Sequence, residues 1–205
     1  MQHSHFVHLH VHTQFSLLDG ACKIPELIAL AKEYRMPAVA LTDHGNMFGA
    51  IEFYIEAMKN GIKPIIGCEI YVAPGSRLDK SASAGEESAY HLILLSKDEE
   101  GYRNLMKLVS AGYLEGFYYK PRVDKELLAR YSKGLIAQSA CLQGEIPYLI
   151  VKGKYEEAKV VAGQYKDIFG PGNFYLELQK NLIPEQETAN AGLLKLSKEL
   201  DIPLV

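Results

Sequence analysis

Residues 8–13 read His8-Leu9-His10-Val11-His12-Thr13, three imidazoles at a spacing of two, and a carboxylate, Asp19, follows in a Ser/Asp/Gly turn. In an extended chain successive side chains alternate between faces, so the three rings share one face while Leu9 and Val11 pack on the other. Neutral imidazole is the commonest nitrogen donor to zinc-like ions and Asp19 adds a hard oxygen, so the chemistry on offer is metal binding. His10 and His12 close the apolar run and meet the turn, where strand-end side chains line sites. His8 reads as a residue behind the ligands or a satisfied core histidine. His3 and His5 read as surface residues, since clustered N-terminal histidines also come from expression tags.

The elements that must position these groups follow a βα rhythm. Short apolar, β-rich runs fall at 6–11, 38–42, 63–72, 90–96, 135–139 and 174–178, with a last one starting at Ile202. Between them, 25–34, 48–60, 98–113, 154–169 and 184–200 carry apolar residues at spacings of three and four, the period of a helix. Pro25 and Pro184 in first turns and Gly61 after a helix end agree with those bounds. Alternating strands and helices predict a parallel sheet, and about seven units favour a closed or nearly closed barrel over an open doubly wound sheet. No glycine-rich dinucleotide fingerprint follows the first run, which counts against the open nucleotide-binding alternative. The small, polar stretch 73–88 reads as a flexible surface insertion.

In such barrels functional groups collect at strand ends. Those ends carry Thr42-Asp43-His44-Gly45-Asn46, Gly67-Cys68-Glu69, Tyr90-His91 and Ser139-Ala140-Cys141. With His10, His12 and Asp19 they form a set of imidazoles, carboxylates and one thiolate suited to two or three zinc, manganese or iron ions. Glu69 stands on an apolar strand, where an unpaired buried carboxylate is costly and a cation is an efficient partner, and reads as a ligand. Asp43, the one candidate for a catalytic role, either ligates, hydrogen-bonds behind the ligands or caps the following helix. His91 lies at the start of its run, against the strand-end logic. Cys141 is either a ligand or a small buried hydrophobe. Cys22 and Cys68 read as structural. Tyr118-Tyr119-Lys120-Pro121-Arg122 offers aromatic and cationic groups for single-stranded nucleic acid, or is an ordinary exposed loop.

With 205 residues and 48% hydrophobic content the chain can bury one substantial core, which favours a single domain. Its apolar runs are too short and interrupted for a membrane span or secretory segment, and three scattered cysteines fit a reducing cytosol, so a soluble cytoplasmic protein is expected. A net charge of −3 excludes a global basic field for nucleic acid.

His10-Val11-His12, Thr42-Asp43-His44-Gly45-Asn46, Pro64-Ile65-Ile66-Gly67-Cys68-Glu69 and Ser139-Ala140-Cys141 resemble the PHP (polymerase and histidinol phosphatase) family. Residues 6–13, 46–50, 90–95, 113–118 and 174–178 are similar to the N-terminal domain of bacterial DNA polymerase III alpha subunits, and the resemblance runs over residues 1–205. It implies an irregular (β/α)7, TIM-like barrel of PHP type with a centre of up to three divalent ions, and assigns His10, His12, Asp19, His44, Glu69, His91 and Cys141 as ligands. The family pattern ends on an Asp-x-His pair after the seventh strand, whereas this chain stops at Asp201-Ile202-Pro203-Leu204-Val205. The expectation is therefore a fragment of a longer polymerase chain, truncated at the seventh strand, with two ligands missing and an apolar seam beside residues 6–11.

The resemblance further implies a metal-dependent phosphoesterase, in metal-competent members a 3′–5′ exonuclease that proofreads a primer end. The parent chain carries DNA-directed DNA polymerase (nucleotidyltransferase) activity in replication, on primer-template DNA and with other replicase subunits such as a separate proofreading exonuclease or a sliding clamp. The alternatives are a non-catalytic domain that stabilises the polymerase and docks that exonuclease, and a stand-alone histidinol-phosphatase-like phosphomonoesterase.

Overall fold

The computed structural model describes residues 3–81 and 88–205. Helix α1 (Ile24–Glu33) opens with Pro25 in its first turn and buries Ile24, Ile28 and Ala31, one stripe at helical spacing. It leads into β1 (Ala38–Leu41) and α2 (Ala50–Lys59). Strand β2 (Lys63–Val72) then runs ten residues and is the spine of the sheet. Its first half, from Lys63 to Ile66, pairs in parallel with β1, and its second half, from Gly67 to Val72, pairs with β3 (Tyr90–Ser96). Gly67 stands where the partner changes, and a Cβ there would sit 2.5 Å from the Leu94 carbonyl oxygen, so the switch requires glycine.

Helix α3 (Glu99–Leu114), capped by Asp98 through the Gly101 N–H, leads to a tight hairpin of β4 (Phe117–Tyr118) and β5 (Lys120–Val123). Then come α4 (Lys125–Tyr131), β6 (Leu135–Gln138), α5 (Glu145–Val151), α6 (Tyr155–Phe169), β7 (Phe174–Tyr175) and α7 (Pro184–Leu200). The strand order is β4-β5-β2-β3-β6-β7, with β1 also on β2.

Three expectations are corrected. The sheet is mixed: β3 is antiparallel to both β2 and β6, and among the described residues no helix lies between β2 and β3. Among the described residues the sheet is open and does not close as a barrel. Residues 6–11 form no regular strand; they run beside β1, where the His8 carbonyl accepts from Ala40 N–H and Val11 donates its N–H to the Thr42 hydroxyl. A side chain thus replaces a backbone partner, and the ladder is interrupted. Directly after β7 the chain pairs in parallel with residues 203–205: Leu176 N–H donates to the Pro203 carbonyl and Leu178 N–H to the Val205 carbonyl. A groove bordered by Phe6, Leu9, Leu178 and Val205 lies where the apolar seam is expected.

In the 73–88 stretch the described part is pinned: Asp124 accepts from the Arg77 N–H at 2.9 Å and from its guanidinium, and Arg122 donates to the Asp79 carbonyl at 2.6 Å. The remainder of that predicted insertion, residues 82–87, lies outside the described residues.

Strand alternation divides the sheet into two faces. Cys68, Ile70, Val72, Leu92 and Leu94 enter the main core with Leu105, Leu128 and Leu196 from α3, α4 and α7. Ile93 and Leu95 point the other way, into a smaller apolar cluster with Ala40 and Ala140. Glu69 and His91 lie in step with Ile93 and Leu95, so they share that second face. A separate cluster of α1, α2 and β1 residues supports the end of β1.

Candidate metal centre

Glu69 is fully buried at the centre of the site. Its Oε2 lies 2.9 Å from His10 Nε2 and 3.9 Å from His12 Nε2. Its Oε1 lies 2.5 Å from His44 Nδ1 and 2.7 Å from His91 Nδ1. One carboxylate thus joins two donor groups, His10/His12/Glu69 and His44/Glu69/His91.

Local structure explains each placement. His44 follows β1 and bridges Glu69 across the ladder, with Gly45 N–H donating to the Glu69 carbonyl at 2.7 Å. His91 pairs in register with Tyr71, two residues beyond Glu69. Because β3 runs antiparallel, the start of that strand coincides with the end of β2, which resolves why a strand-start residue joins the strand-end residues of the cluster.

The ring nitrogens facing away from Glu69 are fixed by other groups. Glu177 Oε1 lies 2.8 Å from His10 Nδ1, which assigns a proton to Nδ1 and leaves Nε2, facing Glu69 and His12, as the atom that a second proton or a cation would occupy. Ser16 Oγ lies 3.4 Å from His12 Nδ1 and donates to Asp43 at 2.7 Å, so its oxygen is open to the His12 ring N–H. His10 Nε2 and His12 Nε2 consequently converge at 3.0 Å.

Asp43 is also fully buried, but its carboxylate accepts from Thr13 N–H at 2.6 Å, Thr13 hydroxyl at 2.8 Å and Ser16 hydroxyl at 2.7 Å. Those hydrogen bonds hold the turn after His12, and the N-cap of α2 is Gly49, so Asp43 does not cap that helix. Asp19 stands at the mouth, its side chain 63% exposed, with Oδ2 3.1 Å from His44 Nε2. Cys141 follows Ala140, whose left-handed φ of 61° turns the chain at the end of β6, and its Sγ lies 3.8 Å from His91 Nδ1. Asp19 and Cys141 flank the two donor groups without joining either. His8 is exposed and packs its ring edge on Phe6, so the expectation of a buried histidine is corrected; the interrupted strand breaks the common face beyond His10.

Glu177 and Ser16 escaped the sequence reading. Glu177 carried a usable signal, since it lies between Leu176 and Leu178 in an apolar run, the same pattern that marked Glu69. Ser16 carried none, because a turn serine is common everywhere.

Electrostatics point to a cation. Burial opposes a charge on His10, but Glu177 and Glu69 overcome it and hold the ring up at about 10. Burial pushes His12 down to about 4 despite Glu69. Burial alone would raise Glu69, yet His10, His44 and His91 hold it well below the usual carboxylate range. Cys141 is raised to about 11 by burial and by Glu69. Both Glu69 oxygens and His44 Nδ1 are packed against one another yet lack any partner in hydrogen-bonding geometry. Lone-pair atoms gathered in this way fit a divalent cation, and a buried carboxylate without compensation would cost several kcal/mol.

Fold and cluster together define an α/β domain with a histidine–carboxylate cluster of metal-ligating type. The chain belongs to the PHP domain family, whose model matches residues 8–181. It is 54% identical over 201 residues to DNA polymerase III subunit alpha of Borreliella burgdorferi, covering 98% of this chain and 17% of that protein. It is 51% identical over 205 residues to the same subunit of Aquifex aeolicus, covering 98% of this chain and 18% of the relative. The chain therefore spans less than a fifth of these relatives. Its fold is similar to a crystal structure named for a metal-dependent phosphoesterase of Bifidobacterium adolescentis, with a TM-score of 0.55 at 16% identity over 97% of this chain and 85% of the other. Among the described residues no helix is long and apolar enough to cross a membrane.

Proposed function

We propose that residues 1–205 belong to the PHP domain of a replicative DNA polymerase alpha subunit, and that the Glu69 cluster binds divalent zinc, manganese or iron ions and hydrolyses phosphodiesters as a 3′–5′ exonuclease on primer ends. The observation that carries this reading is one fully buried carboxylate set between the nitrogens of four histidines.

His10, His12 and Glu69 would hold one ion, and His44, Glu69 and His91 another, with Asp19 and Cys141 as further ligands at the margins. Such ions would polarise phosphoryl oxygens and bring the pKa of a bound water down toward neutrality. The protein's own groups do the rest. Glu177 and Ser16 fix the His10 and His12 tautomers so that both Nε2 lone pairs face inward. Asp43 anchors the turn that carries Ser16. The exposed position of Asp19 keeps one side of the site open to a substrate.

In the whole polymerase, DNA, a proofreading exonuclease and the sliding clamp would be the partners, in the cytoplasm. The test is metal content by plasma mass spectrometry together with hydrolysis of a 5′-labelled single strand, for the chain and its Glu69→Gln variant. Bound metal and 3′-end shortening, both lost in the variant, are expected. Metal-free protein overturns the reading, and metal without hydrolysis leaves the domain as a scaffold for replicase subunits.

A further inference from the structure

The cleft that opens onto His44 and His91 has a rim whose chemistry the metal cluster does not use. Its far wall is the β4–β5 hairpin, where Tyr118 pairs with Lys120 and Tyr119 alone forms the tip. Tyr119 adopts a left-handed φ of 57° and is 77% exposed. Glycine or asparagine suits that conformation better than a bulky aromatic; the ring rests edge-on against Tyr118 at 4.6 Å, yet most of its surface still faces solvent, so burial gains little from a tyrosine there. Lys120 is the one side chain of fixed positive charge among the described residues that line the cleft, opposite Asp19.

The hairpin is rigidly tied to the cluster. Lys120 Nζ lies 5.1 Å from the Tyr71 ring centroid, and Tyr71 packs edge-on to His91 at 5.1 Å. Gly45, next to His44, has a φ of 63° and no room for a Cβ, since Tyr71 and Pro121 would stand 2.9 Å from it. Arg122, behind the tip, is 4% exposed, stacks over Tyr118 at 5.0 Å and donates to the Asp79 carbonyl, holding the hairpin from below.

We propose that Tyr119 and Lys120 make the site selective for the end of a single-stranded nucleic acid: Lys120 pairs with a phosphate beside the cluster and Tyr119 stacks on the adjacent base. A rim cation offsets the exposed Asp19 carboxylate that an anionic phosphate meets at the mouth of the cleft. An exposed aromatic beside that cation is the pairing that binds single strands irrespective of sequence, whereas a small phosphomonoester would leave the ring unused. The inference rests on the phosphoesterase reading for its biological meaning, but binding can be measured without turnover.

The experiment is fluorescence anisotropy of a labelled oligothymidylate with this chain and its Tyr119→Asn, Tyr119→Phe and Lys120→Gln variants, over a range of salt. Asparagine accepts the left-handed turn, so thermal melting of that variant should match or exceed the parent while the stacking face is lost. Tyr119→Asn is expected to weaken binding about tenfold or more, and Tyr119→Phe to retain it. Lys120→Gln is expected to weaken binding and lower the slope of log K against log salt by about 0.7. Parent-like binding by Tyr119→Asn, or no binding by the parent chain, overturns the proposal. Binding that depends on Tyr119 in a chain that never hydrolyses the strand removes the phosphoesterase reading and keeps the rim. Hydrolysis whose KM is unmoved by Tyr119→Asn removes the rim and keeps the phosphoesterase.

Discussion

At the scale of single residues, a proton and a metal ion compete for the same lone pair. His10 stands between Glu177 and Glu69, which demand a positive charge; a proton on Nε2 or a cation beside it supplies one. Its ring is raised from 6.5 to about 10, so in metal-free protein the proton stabilises the fold fully below the unfolded value, and that contribution is lost as pH rises through about 10. Metal affinity should run the opposite way, increasing from pH 6 to 9 as protons cease to compete, which competition titration with a chromophoric chelator would measure. Asp43→Asn tests the positioning role. Turning one acceptor oxygen of this buried carboxylate into an NH2 donor and removing its charge should cost about 1–3 kcal/mol in urea unfolding, and metal affinity should fall about 10–100-fold through the loosened turn that orients His12. Parent-like values in both measurements would remove Asp43 from the site's support.

At the scale of elements, the short pieces matter most. Helices α4 and α5 have seven residues each, too few for a helical period to stand out in sequence, and the β4–β5 hairpin is shorter still. By contrast β2, β3 and α7 coincide with the runs read at 63–72, 90–96 and 184–200, because long apolar patterns leave one period to choose. Asp124 joins two of the short pieces: it caps α4 through the Leu127 N–H and pairs with Arg77 in the loop after β2. Burial alone would raise its carboxyl, but the Arg77 and Leu127 N–H groups and the Arg77 guanidinium hold it below the ordinary value of 3.8. Its stabilisation is therefore present above that value and lost as pH falls through the lowered one. Asp124→Ala should cost about 1–2 kcal/mol at neutral pH, read by chemical unfolding. The difference from the parent should vanish in strong acid, and a constant difference would refute the charged cap.

At the scale of the molecule, the cluster ties distant stretches together, with His10 and His12 near one end of the chain and Glu177 near the other. Ions bound there stabilise only the folded state, by about 2.7 kcal/mol at a hundredfold excess over Kd. For a domain of this size chelation should therefore lower Tm by about 5–11 °C. Calorimetry with and without a chelator, repeated for Glu69→Gln, checks this; the variant should melt at one temperature under both conditions.

The sequence alone determined which residue types gather in the cluster and most of the long elements. A carboxylate in an apolar run, as at Glu69, and imidazoles at alternate positions, as at His10 and His12, announce themselves because burial penalties act locally on residue type. The direction of β3, the open sheet, the use of Asp43 as a brace and the presence of Glu177 beside His10 were decided only in three dimensions. Strand direction depends on how a connection packs, and a hydrogen bond between residues 10 and 177 depends on the whole sheet between them. Neither has a period or spacing that a linear pattern can carry.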